Sequence, residues 1–130
     1  MSLDISYIDN GKGVYCAVNG EVTLDDFLKG SNEAYSEPYL KTQRYQIVDF
    51  TNCSSFNLSS DDMVVIAKMD KEISRVNPNI FIAIIAPSDI TFGMSRVYQA
   101  YAEETGFKIE VFRNRELANV WIGRNVRTDA

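Results

Sequence analysis

Apolar and polar positions alternate at the start of the chain: Leu3, Ile5 and Tyr7 are separated by Asp4 and Ser6, a period of two that predicts a half-buried strand. Asp9-Asn10-Gly11 follows and suits a tight hairpin, whose central residues need positive φ, so residues 13–18 read as the return strand. Asn19-Gly20 predicts a further turn. Thr23, with Asp26 three positions on, has the spacing of a capping box, and Leu24, Phe27, Leu28, Ala34 and Tyr35 then share one helical face, with Pro38 beyond its end. Residues 45–50 read as a buried strand ending on the carboxylate of Asp49, and a polar loop carrying Cys53 comes next. Ser59 and Asp62 repeat the capping pattern ahead of an apolar stripe of Met63, Ile66, Met69, Ile73 and Val76, which Asn77-Pro78-Asn79 stops.

Residues 80–86 are apolar on both faces, as a central parallel strand covered by helices on both sides would be. Pro87-Ser88-Asp89 starts a third helix with Ile90, Met94, Val97 and Tyr101 inward and Gly106 as its stop. A last strand over 108–112 and a final helix capped by Asn114, carrying Leu117, Ala118 and Trp121, complete the order β-β-α-β-α-β-α-β-α. Right-handed crossovers make the later strands parallel. The predicted fold is α/β: a single mixed, mostly parallel five-stranded sheet with one antiparallel edge strand and about four helices. One domain over 1–123 and a C-terminal tail over 124–130 are expected.

Composition narrows the chemistry. In 130 residues, 13 Lys and Arg stand against 18 Asp and Glu, a net charge of −5, so the basic footprint that nucleic acid requires is missing. Histidine is absent, which removes Ser-His and Cys-His pairs, imidazole shuttles and His-based metal sites. Cys16 and Cys53 form neither a CxxC pair nor a disulfide framework and read as reduced thiols. No phosphate-loop pattern occurs, and the longest apolar run, 80–86, is too short to cross a bilayer, so a cytoplasmic protein without stable membrane insertion is expected.

With that order on the page, the chain resembles the STAS (anti-sigma-factor antagonist) family and is most similar to its SpoIIAA-like branch, in which STAS and SEC14-type domains are grouped. The carrying residues are GEVTLDDF at 20–27, IVDFT at 47–51, IAIIAPSDITFGMSRVY at 82–98 and EVFRNRELANVWI at 110–122. The resemblance implies a STAS/SpoIIAA-like module without catalytic residues, metal or cofactor. It implies a regulatory role through a protein partner or homodimer, or the sensing of a small ligand. Two further roles follow from the resemblance: a SEC14-like carrier of a small apolar or anionic molecule, and a phosphorylation-switched antagonist. In the phosphorylated antagonists the switch serine opens the helix after the Asp-ending strand, a place that falls here on Ser59. Leu58 stands where those proteins have an acid, and Asp61 where they have glycine.

The residues themselves direct attention to the strand ends, where open α/β sheets bind ligands. Asp49 and Thr51 would share a rim with the 87–93 loop, and Arg113 and Asn114 would reach it from the next strand. Asp89, Phe92, Gly93 and Arg96 would supply polar contacts, an apolar wall, close backbone approach and a cation for an anionic ligand. Against this, Asp49 alone can cap its own loop through local backbone hydrogen bonds. Ser59 serves equally as an N-cap.

Overall fold

The computed structural model describes residues 2–36 and 39–126. Its five strands form one sheet in the order β1-β2-β3-β4-β5: β1 (Leu3–Ile8), β2 (Gly13–Thr23), β3 (Tyr45–Asn57), β4 (Phe81–Ile85) and β5 (Lys108–Phe112). Strand β1 pairs antiparallel with β2, and every later pair is parallel, as the sequence order predicts. The helices are α1 (Leu24–Ala34), a short α2 (Tyr39–Thr42), α3 (Ser60–Ser74), α4 (Asp89–Tyr101) and α5 (Arg115–Asn125).

Both capping boxes form. Thr23 caps α1 with Asp26, and Ser59 caps α3 with Asp62, each side chain bonding the other residue's backbone N–H. Gly106 ends the 3-10 turn after α4 with φ +80, a conformation suited to glycine.

Several expectations need correction. The first hairpin is a four-residue connection, with Ile8 paired to Gly13 and Asp9, Asn10 and Gly11 all at positive φ. Asn19-Gly20 does not turn the chain. Strand β2 runs through it to Thr23, absorbing two register shifts against β3, while Gly20 takes φ +67. The expected polar loop at 51–57 is the second half of β3, paired with the second half of β2 from Asn19↔Asn52 to Thr23↔Asn57. Strand β4 pairs only with Tyr45 to Asp49, so these halves project past it as a two-stranded ribbon. On α4 the buried face is Thr91, Ser95 and Tyr98, while Ile90 and Tyr101 are exposed; Val76 and Leu117 also lie outward. Helix α5 continues through Asn125, beyond the boundary expected at 123, and Val126 is buried. Pro38 and residues 127–130 lie outside the described residues.

Handedness explains why the two sheet faces are covered unequally. The crossovers through α1, α3 and α4 all advance in one direction, from β2 to β5, so right-handed connections put all three on one face. There they cover Cys16, Ile82, Ile84, Ile109 and Val111. The opposite face has α5 alone, which packs Ala118 and Ile122 on Tyr45, Ile47, Ala83 and Ile85, with Trp121 against Phe81 and Phe112 at 5.7 Å. Beyond its reach the β1–β2 surface is polar, and Asn19 bonds Asp4 at 2.8 Å across it.

Candidate functional site

The rim residues are brought to the strand ends but fall into two hydrogen-bonded groups, which no hydrogen bond or ion pair joins among the described residues. In the first, the buried Asp49 accepts from the Thr51 N–H at 2.9 Å and from its hydroxyl, the local cap that its position allows. Tyr15 donates to the other carboxylate oxygen, and the Arg115 guanidinium completes the set at 2.8 Å while lying over the Tyr15 ring. In the second group Arg113 bonds Asp89 at 2.8 Å and the Pro87 carbonyl at 3.2 Å, with its guanidinium 4.2 Å from the Phe92 ring centroid. Asp89 is exposed in that pair. Gly93 and Arg96 sit on the outer side of α4, and a Cβ added at Gly93 would meet open space.

The charged members of both groups are paired within their own group. Tyr15 and Arg115 are the partners of Asp49 that the sequence did not single out. Tyr15 sits one inward-facing position before Ala17, which pairs with Asp49, and Arg115 opens the helix that covers this face. Replacing Arg115 by Ala leaves Asp49 with hydroxyl and amide donors only. The expected loss is about 1–2 kcal/mol in urea unfolding, below that of a fully buried pair because the guanidinium is more than half exposed. Lys at this position should recover part of it.

An apolar pocket lies on the other face. A cavity of about 70 Å³ sits between the sheet and helices α1, α3 and α4, walled by apolar residues including Ile5, Phe27, Val48, Phe56, Ile66 and Ile84. Val48 occupies a central strand yet is only half-buried because it faces this space. The β2–β3 ribbon supplies part of the wall: Phe56 stands edge-on to Phe50 at 5.5 Å, and the buried Leu58 follows.

Asp70 of α3 enters this cavity, 4% exposed. Tyr98 of α4 donates to one carboxylate oxygen, and Tyr35 at the end of α1 donates to the other at 3.3 Å. Gln46 bonds Tyr35 in turn and donates to the Gln43 side chain at 2.9 Å. Burial pushes the Asp70 carboxyl up to about 6 despite the two phenols, which hold it down. Both phenols are raised well above the usual tyrosine range, chiefly by burial and then by the neighbouring carboxylate. Cys16, in the same wall, is pushed up to about 12 by burial, with Asp4, Glu33 and Asp49 adding to it, so it remains a thiol.

Asp70 was legible in the sequence. It lies four residues after Ile66 and seven after Met63, in the middle of the apolar stripe of α3. An acid at such a position is buried or breaks the face. Ser59 is exposed, and its hydroxyl accepts from the Asp62 N–H at 3.1 Å as the cap of α3.

No family model matches this sequence, and no curated protein does. Among solved structures, the chain is similar to the crystal structure of an uncharacterized protein of the DUF3478 family, described as having a SpoIIAA-like fold, from Shewanella loihica PV-4. The two share 14% identity over 92% of this chain and 90% of that one, with a TM-score of 0.56. The fold is SpoIIAA-like. Among the described residues, no helix is long and apolar enough to cross a membrane.

Proposed function

We propose that this chain is a non-enzymatic module that binds a small, largely apolar molecule in the cavity under α1, α3 and α4, and senses or carries it. The observation that carries this reading is the cavity itself: apolar walls with a few polar groups converging at one end, the general build of a ligand site. Its volume sets the scale of the ligand. An engineered apolar cavity of about 150 Å³ binds benzene, so about 70 Å³ suits a molecule of a few heavy atoms.

Three of the groups around it are unsuited to turnover. The Tyr35 and Tyr98 phenols and the Cys16 thiol are all held in their protonated forms, so none is a base or nucleophile at neutral pH. A regulatory role would then be exercised through a partner that reads the occupied state. A phospho-switch at Ser59 has less support, because a phosphate there would displace the cap and meet Asp61 and Asp62.

Titration with 1-propanol, followed through methyl chemical shifts, tests the reading. Shifts confined to Val48, Ile66 and Ile84 and saturating in the millimolar range are expected. A titration that leaves these methyls unmoved overturns it.

A further inference from the structure

Resting on that cavity as a ligand site, we infer that it selects a cationic amine: a small alkylammonium whose charged end pairs with Asp70 and whose carbon chain lies among the apolar walls. An ionised carboxylate has about four acceptor positions on its two oxygens. Among the described residues, Asp70 receives one hydrogen bond on each oxygen, from Tyr35 and Tyr98, which leaves acceptor capacity on both. Among the described residues no Lys or Arg lines the cavity, so none of them neutralises a charge there.

Of the basic side chains on the same helix, Lys68 is exposed, and Lys71 lies at the surface and pairs with Glu104 at 3.0 Å. The remaining titratable groups facing Asp70 are Tyr35 from the end of α1, Tyr98 from α4 and Cys16 from β2, all protonated and neutral. Glu103 and Glu104 of the 3-10 turn after α4 are exposed to solvent.

The chemistry of the two tyrosines sharpens the selection. Each spends its single O–H on the carboxylate, so neither has a donor left for an anionic guest. A ligand carboxylate or phosphate would enter an uncharged apolar space against a buried anion. An ammonium brings three donors and the missing charge, and a buried charge is tolerated when it is paired and hydrogen-bonded. Buried Ser95, in the same wall, adds a hydroxyl on the α4 side. A neutral alcohol gains only the apolar contacts and one hydrogen bond. The ranking is therefore amine, then alcohol, then carboxylate.

The experiment compares n-propylammonium, 1-propanol and propionate at pH 7.5 on the wild-type protein, by methyl chemical shifts and by the rise in thermal midpoint. Propylammonium is expected to bind about tenfold more tightly than propanol, the effect of a charge-assisted contact, with propionate showing no saturable shift. In Asp70→Asn the amine advantage over propanol should fall towards one while propanol binding persists. If that variant does not fold, the ranking on the wild-type protein decides the matter alone. Propanol binding with no amine preference, or propionate binding as well as the amine, overturns the inference and leaves the ligand reading standing. Failure of both propanol and the amine overturns both.

Discussion

Asp70→Asn removes a component of stability that falls as pH rises between about 4 and 6. The folded-state carboxyl lies at about 6, against an ordinary 3.8, so across this window the native state binds a proton that the unfolded chain has released. Stability therefore falls as pH rises, since its slope follows the protons bound by the unfolded minus the native state. The stabilising contribution is fully present below about 3.8 and is lost as pH passes through about 6. A shift of that size corresponds to roughly 3 kcal/mol, at 1.36 kcal/mol for each pH unit. Other carboxylates produce the opposite trend; Asp26, lowered by its cap bonds to Thr23, is one. The measurement is therefore the difference between wild-type and variant urea midpoints at pH 4, 5, 6 and 7. That difference should move in favour of the amide by about 3 kcal/mol over the window, whatever its value at pH 4. A difference that stays constant with pH would show that Asp70 does not change protonation in the folded state.

Tyr45→Ala should be among the most destabilising single changes on the α5 side of the sheet, at about 3–5 kcal/mol and a thermal midpoint roughly 10–20 °C lower. Tyr45 is completely buried where β3 begins, packed between the sheet and α5, and its hydroxyl reaches Asp9 at 3.3 Å in the left-handed turn after β1. The ring also occupies the space that a side chain at position 13 would need. A Cβ on Gly13 would lie 2.4 Å from the ring, so Gly13→Ala alone should cost roughly 1–3 kcal/mol. The two changes are not independent. In the Tyr45→Ala background the alanine at 13 meets no ring, and most of its cost should vanish in a double-mutant cycle. Tyr45→Phe keeps the packing and should lose only about 1 kcal/mol. Additive costs would mean that Gly13 is required for some reason other than this ring.

Periodicity and caps carried most of the fold. The stripe of α3 from Met63 to Ile73, the two capping boxes, the apolar 80–86 segment and the Asn114 cap stand where the sequence puts them, and strand order follows from handedness. Residues 51–57 failed as a strand because a two-stranded ribbon has a wet face, and its Thr, Asn and Ser residues carry no alternation until Phe56. Helix α4 failed by one position. It lays small hydroxyl residues, Thr91 and Ser95, against its neighbours, with the Thr91 hydroxyl satisfied by the Ser88 carbonyl at 3.2 Å. A count of apolar residues is therefore only half right: Met94 and Val97 pack against the core as expected, while Ile90 and Tyr101 lie outward. Asp49 does not end its strand: β3 runs on to Asn57, and only the pairing with β4 stops at Asp49; what surrounds it depends on Arg115, 66 residues away in sequence, which local pattern cannot reach. The cavity is a property of three helices and a sheet together, and only Asp70, an acid inside an apolar stripe, announces it in the sequence.

The length of β3 has a mechanical consequence. Over Tyr45 to Asp49 the strand is held on both sides, by β2 and β4; from Asn52 to Asn57 it is held by β2 alone. One continuous backbone thus joins a stiff segment to a compliant one, and the change falls beside the cluster around Asp49. Phe56 and Leu58, which close one end of the cavity, ride on the compliant segment or just beyond it. The strand that runs through the middle of the sheet thus also contributes, beyond its last contact with β4, to the wall of the cavity.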